Sequence, residues 1–381
     1  MSAYPGAAVG LDVTPLGAEQ TGIGRYTYEL LGALWRLGPD GAVVAVGNRG
    51  AAYVRLPDLS GADRGVLGPR LPSRAAWTFG ALPWWLPRAG LGVFHGTSYY
   101  APIIGPVPTV VTFHDMSVLA CPDRHPRARV VRAQALLGRV ARHASAIITP
   151  SAFSATEIVR WLGVPAERIH VVPGAAAGSF SRPLDTATVG AVAARFGLQP
   201  GFLLCLGTVE PRKNIGRVLE AAARLRRGGA PVRVVIAGRL GWGFRPILEQ
   251  ARALGLEGAV RFVGFVSDAD LRGLMALASA LVYPSLYEGF GLPVVEAMAA
   301  GLPVVTSRTG ALAEVAGGAA LLVDPYDTDA IADALQRASL DGDLRAVLRR
   351  RGLARAGEFS WERSARETLA VYATVIGSSG R

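Results

Sequence analysis

Lysine is almost missing from this chain. Lys213 is the only one among 40 basic residues, and arginine supplies the rest. With abundant alanine and glycine, that bias reads as GC-rich coding rather than selection for a polyanion. The net charge of +11 therefore does not by itself indicate nucleic acid, and no zinc-finger, helix-turn-helix or RNP-like pattern is present. An anionic membrane surface or an acidic substrate stays open as a partner. Cysteine is scarce too. Cys121 and Cys205 stand far apart without metal-ligand spacing, which argues against a disulfide framework. Cys205 sits in the apolar run Phe202-Leu-Leu-Cys-Leu206 and reads as core. Half of the residues are hydrophobic, yet no uninterrupted apolar run reaches the ~20 residues of a membrane span. The start, Met1-Ser-Ala-Tyr-Pro-Gly6, has neither the basic nor the apolar region of a signal peptide, so a cytoplasmic location is expected. Nucleophile-elbow, HExxH and Walker sequences are absent.

What is present is a strand–turn–helix stretch, Ser285-Leu-Tyr-Glu288-Gly289-Phe290-Gly291-Leu292-Pro293-Val-Val-Glu296-Ala-Met298. Ala280–Tyr283 before it is a short apolar strand, which Pro284 ends by removing a ladder donor. Pro293 suits a first helical turn, where its missing N–H would be unpaired anyway. Gly289 and Gly291 permit positive φ and close approach of an anion. The amides of Phe290, Gly291 and Leu292 then lie at a positive helix terminus, a phosphate site flanked by Glu288 and Glu296. On its own, such a pair of carboxylates is equally a helix start with two solvated glutamates.

The rest alternates strands and helices. Ala7–Asp12 is a first buried strand, followed by Thr21-Gly22-Ile23-Gly24-Arg25 and an amphipathic helix over Tyr28–Leu37. Gly-x-Gly there reads at least as a tight strand-to-helix turn. Gly92–His95 and Thr109–Asp115 are strands that end in histidine, at the rim where open α/β sheets bind ligands. His95 reads as packed or locally paired. Pro69–Arg88 mixes Trp77, Phe79, Trp84 and Trp85 with Arg70, Arg74 and Arg88. That composition suits a membrane interface or lipid-linked acceptor, but a core helix and a proline-broken loop is the favoured reading. Arg124–His143 is an arginine-rich helix with a solvated basic face. Ser151–Ser154 is a capped turn, and Ser181–Pro200 a linker with a lead-in helix. Gly207-Thr-Val-Glu210-Pro-Arg212-Lys213-Asn214 follows the strand Phe202–Leu206 and opens a helix over Ile215–Arg227. Arg212 and Lys213 stand at a strand's C-terminal rim, where a diphosphate needs cations. The lysine persists in an otherwise arginine-only chain, and the two types exchange poorly in a tight site. Three Asp-x-Asp pairs occur. Asp268/Asp270 and Asp327/Asp329 precede helices and read as caps, and Asp341/Asp343 flanks Gly342 as a turn. None is expected to hold a metal.

The string Tyr-Glu-Gly-Phe-Gly-Leu-Pro-Val-Val-Glu-Ala-Met-Ala resembles the E-x7-E signature of the retaining glycosyltransferases of family 4, which have the GT-B fold. Gly207–Asn214 resembles that family's G-x-x-x-x-R-K-N donor-phosphate motif. The resemblance covers nearly the whole chain, most strongly Gly207–Asp324 and less before Val172. It implies an α/β protein of two Rossmann-like doubly wound domains facing across a cleft. Residues 1–180 would bind the acceptor, residues 181–360 the nucleotide sugar, and the final helix, 361–377, would return to the first domain. By the same resemblance Glu288 orients the transferred sugar and Glu296 holds the ribose hydroxyls. Arg212, Lys213 and the Phe290, Gly291 and Leu292 amides take the diphosphate beside Gly207, and Gly264, Phe265 and Val266 take the base. His114 bonds the sugar, while Gly22 and Gly24 meet the acceptor. After Pro173 the family has Asn-Gly, whereas this chain has Gly-Ala-Ala-Ala, so no donor contact is carried over there.

The expected activity is retaining transfer of a hexose to a glycan or lipid-linked acceptor, in cell-surface polysaccharide or glycolipid synthesis. Mannose carried by GDP is the first expectation. No cofactor, metal or nucleic acid is expected, and the protein would be cytoplasmic, with peripheral attachment to the inner membrane face left open. A sugar synthase or phosphorylase acting on a small soluble sugar is the nearest alternative. A non-catalytic sugar-nucleotide-binding regulator is the alternative of another class.

Overall fold

The computed structural model describes residues 8–17, 22–38, 42–48, 56–57, 68–69, 71, 73 and 75–379. The start Met1–Gly6, Thr21, Arg70 and Arg74 fall outside them. The chain divides into two compact units. One comprises Met1–Ala120, Arg127–Gly174 and Ser360–Arg381, the other Cys121–Pro126 and Ala175–Phe359.

The first unit holds a six-stranded sheet, β1 (Ala8–Asp12), β2 (Val43–Val46), β3 (Leu91–Gly96), β4 (Thr109–Thr112), β5 (Ala146–Thr149) and β6 (Ile169–Val171), in the order β2-β1-β3-β4-β5-β6. The second holds β7 (Phe202–Leu206), β8 (Val234–Ala237), β9 (Val260–Gly264), β10 (Ala278–Tyr283), β11 (Val304–Ser307) and β12 (Leu321–Val323), in the order β12-β11-β10-β7-β8-β9. All the strand pairings are parallel. Parallel strands need helical crossovers that cover both faces, which is why these strands read as unbroken apolar runs. In β7, Phe202 and Leu204 enter one core cluster, Leu203 and Cys205 the cluster on the other face. Cys205 is core, as expected, and burial pushes its thiol up to about 12.

Three elements differ from the sequence reading. The first helix runs Gly22–Leu37, so Gly22 and Gly24 form its opening turn rather than a loop before it. Glycine is a weak helix former, but the first turn of an anchored helix tolerates it. The helix expected to stop at Pro83 instead continues to Arg88. A π-type turn, Ala76–Ala81, leads into Leu82–Arg88, and the wider turn relieves the clash of the Pro83 ring with the preceding carbonyls. Trp77 is buried and Phe79 and Trp85 are half-buried, whereas Trp84 remains 64% exposed. Asp341 is not in a plain turn: it accepts from Leu344 N–H at 2.8 Å and caps the helix Gly342–Ala356. The other Asp-x-Asp pairs act largely as expected. Asp327 caps the helix Thr328–Leu340, and Ser267 rather than an aspartate caps Asp268–Leu277. Asp270 accepts from the Ser267 hydroxyl and pairs with Arg195 at 2.9 Å. Arg195 belongs to the helix Thr186–Phe196, which packs against Asp268–Leu277 as part of the second unit.

In the first unit the last helix, Trp361–Ser379, packs against Gly22–Leu37. Fully buried His95, in β3, bridges Tyr372 Oη of that last helix at 2.6 Å and Thr112 Oγ1 of β4 at 2.8 Å. Burial, with His114 nearby, lowers its pKa to about 3. The unfolded chain therefore takes up this proton first, and stability is lost as pH falls from 6.5 towards 3, by up to ~1.4 kcal/mol per pH unit. Denaturant titrations between pH 7 and 4 should show a shallower acid loss for His95→Gln than for wild type. Identical slopes would show that His95 does not carry this proton linkage.

Candidate active site

Doubly wound sheets bind ligands outside the C-terminal strand ends, where the strand order reverses. In the second sheet the chain winds outward from β7 through β8 to β9, then returns to place β10 on the other side of β7. The reversal lies between β7 and β10. The loop after β7 carries Glu210, Arg212 and Lys213, and the loop after β10 carries Glu288. The two loops are tied by Leu286 N–H donating to Arg212 O at 2.9 Å.

Their side chains form one ion cluster. Lys213 Nζ lies 2.5 Å from Glu288 Oε1, and Arg212 Nη1 lies 2.9 Å from Glu288 Oε2. Arg212 also donates to Tyr287 O at 2.6 Å and to Glu210 Oε1 at 2.8 Å. The Tyr283 hydroxyl accepts from Lys213 Nζ at 2.5 Å and donates to Glu288 Oε1 at 3.0 Å. The side chains of Arg212, Lys213 and Glu288 are only 10–12% exposed. Burial alone would raise the Glu288 pKa, but Arg212 and Lys213 outweigh it and hold the carboxyl at about 2. Burial lowers the Lys213 pKa while Glu288 opposes the shift, and burial followed by the Glu288 charge keeps the Tyr283 phenol protonated.

Glycine shapes the loop at two points. Gly207 has φ +118°, and a Cβ there would sit 3.4 Å from Lys213 Cε. Gly291 has φ +103° and starts the helix Leu292–Ala299, and its Cβ would come within 2.6 Å of Leu312. The first amides of that helix lack intrahelical acceptors, which leaves Phe290, Gly291 and Leu292 N–H at its positive end. The Phe290 ring itself is core, edge-on to Phe359. Glu296, one turn into the helix, is 2% exposed and the more enclosed of the two glutamates.

Gly264 ends β9, and beyond it Phe265 is 56% exposed, with the Arg239 guanidinium 4.7 Å above its ring. Val266 turns into the core, so only its backbone could meet a ligand. In the first unit, His114 follows β4 with Nε2 2.8 Å from Thr97 O, and Tyr26 meets its ring edge-on. Burial lowers the His114 pKa against the opposing effects of Thr97 and Asp115. A neutral ring donating from Nε2 keeps Nδ1 as an acceptor. Among the described residues a Cβ on Gly22 would meet nothing within 4 Å.

Comparison with known proteins fits this geometry. The family model described as Glycosyltransferase Family 4 matches residues 20–176, and that described as Glycosyl transferases group 1 matches residues 193–355. The chain is 39% identical to the O-antigen chain mannosyltransferase B of Escherichia coli over 284 residues, 74% of each protein. The chain belongs to this glycosyltransferase family. An MMP alpha-(1->4)-mannosyltransferase of Mycolicibacterium hassiacum is 36% identical, over 62% of this chain and 56% of its own. Among solved structures, Anabaena HepE in complex with UDP and glucose superposes with a TM-score of 0.73 at 18% identity, covering 96% of this chain and 99% of its own. WaaG, a glycosyltransferase involved in lipopolysaccharide biosynthesis, does so with 0.71 at 17%, with the same coverage. The fold is thus GT-B.

Three parts of the glycosyltransferase cluster were not singled out from sequence. The sequence marks Tyr283 only as the end of a strand, and Glu210 only as loop. Asn214, buried with φ +60°, donates from Nδ2 to Pro284 O at 3.0 Å and Pro325 O at 2.6 Å, so it braces the loops after β10 and β12. Its signal was its place after Arg-Lys, but nothing local shows what it reaches. Among the described residues no helix is long and apolar enough to cross a membrane.

The Glu288 pKa gives a stability window. A carboxyl held at about 2 against 4.5 stabilises the fold above pH 4.5, and that contribution is lost as pH falls towards 2. The loss should be on the order of 3 kcal/mol. Glu288→Gln should be less stable at pH 6 and should flatten the acid slope between pH 4.5 and 2.5 in urea titrations. An unchanged slope would mean that the ion cluster does not form in solution.

Proposed function

We propose that this glycosyltransferase moves a mannosyl group, with retention, from a nucleotide-diphosphate mannose to a glycan or lipid-linked acceptor. The observation that carries the reading is the Arg212–Lys213–Glu288 cluster at the β7/β10 reversal, beside a helix start. Such a place offers two cations and several free amides to a diphosphate. The choice of mannose rests on the two mannosyltransferases named above, at 39% and 36% identity.

In the proposed step the bond between the sugar's anomeric carbon and the phosphate oxygen breaks, and negative charge grows on the diphosphate. Arg212, Lys213 and the Phe290, Gly291 and Leu292 amides stabilise that charge in a site already organised for it. The acceptor oxygen bonds to the same face of the anomeric carbon, and its proton passes to the departing phosphate. Glu288 is held ionised by its two cations, so it orients sugar hydroxyls instead of transferring a proton. His114 accepts a hydrogen bond from a substrate hydroxyl at Nδ1, and Glu296 receives the ribose hydroxyls. Phe265 and the backbone after Gly264 receive the base. Gly22 and Gly24, in the opening helical turn, meet the acceptor. No metal or cofactor takes part.

Thermal melts with GDP-, UDP- and ADP-sugars identify the donor, and stabilisation by GDP-mannose is expected. Radiolabel transfer should then persist in excess EDTA, while activity lost to EDTA and restored by Mg²⁺ would overturn the metal-free mechanism.

Lys213→Ala should lower kcat/KM roughly 30-fold or more, since breaking such a charge pair costs ~2–5 kcal/mol. Lys213→Arg should restore it only in part. Wild-type kinetics in a folded Lys213→Ala protein would remove the lysine from the mechanism.

A further inference from the structure

The second unit carries a cavity that the transfer site does not use. It has a volume of about 570 Å³, within the range that holds small organic ligands. It lies at the N-terminal edge of the second sheet. Gly201 immediately precedes β7, Ala278 opens β10 and Pro303 immediately precedes β11, and all three line it. Glu288 and Lys213 follow the opposite strand ends. A strand of five or six residues separates the two edges by about 17–20 Å, so one small ligand cannot occupy both.

The lining has an uneven chemistry. Four arginines, Arg182, Arg272, Arg345 and Arg349, face it, and no aspartate or glutamate does. Among the described residues none of the four forms an ion pair. Two are held in place by neutral acceptors. Arg272 donates to Arg182 O at 2.8 Å, and Arg345 donates to Ser339 O at 3.0 Å and Ser279 Oγ at 3.3 Å. Both are half-buried, while Arg182 and Arg349 are exposed. Elsewhere in this unit enclosed guanidinium groups meet carboxylates, as Arg212 does with Glu210 and Glu288. Four unneutralised guanidinium groups around one concavity repel one another, and an anion removes that repulsion. Planar forks favour an oxygen-rich anion such as phosphate, bound by paired N–H groups. Met275 and Leu302, both buried, give the cavity an apolar wall.

We propose that this cavity is a second ligand site, for a phosphomonoester on a small organic body, separate from the proposed donor site. The phosphate is met by Arg272 and Arg345, the two arginines anchored by neutral acceptors. Arg182 and Arg349 add attraction from their exposed positions, and the organic body lies on the apolar wall.

The full-length protein is titrated calorimetrically with a hexose 6-phosphate, with the unphosphorylated hexose as control. Vesicles of phosphatidylcholine with and without phosphatidate form the second arm, since a lipid headgroup presents the same phosphomonoester. Saturable binding of either probe to wild type is expected, weakened at least about tenfold in Arg272→Gln/Arg345→Gln. Arg182→Gln/Arg349→Gln changes only exposed side chains, keeps the fold, and should weaken binding about threefold. Nucleotide-sugar binding should be unchanged in both variants. Loss with the soluble probe assigns a free metabolite, and loss confined to phosphatidate vesicles assigns a membrane headgroup. Absence of binding by both probes, or equal binding by wild type and the exposed pair of substitutions together with the anchored pair, would overturn the site.

Discussion

Charge balance around Glu288 governs the proposed donor end of this molecule. Two cations, Arg212 and Lys213, and two carboxylates, Glu210 and Glu288, share one enclosed space. Removing any one of them from water is costly, and only mutual pairing makes the group tolerable. The pairing needs loops held to within a fraction of an ångström. The Leu286–Arg212 backbone bond, the Asn214 braces and the Ser307 hydroxyl on Ser285 O at 2.6 Å provide that restraint. In the proposed mechanism an incoming diphosphate would draw the cations partly away from Glu288. That exchange would free carboxylate oxygens for sugar hydroxyls at the same moment and so couple phosphate binding to sugar orientation.

The sheets set where such a cluster can form. Both are parallel and their central strands are mostly apolar, so charged side chains gather chiefly at the strand ends. At the C-terminal edge the order reversal separates two loops that would otherwise run side by side, and the cluster occupies that gap. At the N-terminal edge of the same sheet, arginines gather without carboxylates. The two edges thus differ in electrostatic state, one neutralised internally and one lined by arginines without carboxylates.

Most of the second unit was legible because its rules are local. Apolar runs of strand length, the Pro293 helix start and the Ile215–Arg227 periodicity fixed the elements nearly to the residue. The first unit was harder. Gly22 and Gly24 signal a turn by local propensity, yet packing of Gly22–Leu37 against Trp361–Ser379 draws them into the helix. Pro83 signals a break, yet a wide turn before it lets the helix continue. In the site, the charged partners could be named from their strand-end positions, because charge at a rim is a local fact. The Tyr283–Lys213 bridge and the Asn214 braces depend on residues ~70 or more positions away, and no local pattern encodes such reach.

The single lysine shows why residue type at this site resists a coding bias that favours arginine. Arg212 makes use of breadth: one planar head reaches Glu288, Tyr287 O and Glu210 at once. Position 213 asks for the reverse. Its Nζ meets Glu288 Oε1 and the Tyr283 hydroxyl, both at 2.5 Å, with the stem running past Gly207. Its charge also stands 4.8 Å from the centre of the Tyr283 ring. A guanidinium would have to place a wider plane in that space, against the ring or against Gly207, and could not bring one nitrogen to both oxygens as closely. A compact charge at 213 and a forked one at 212 are therefore complementary, each suited to a geometry the other cannot satisfy.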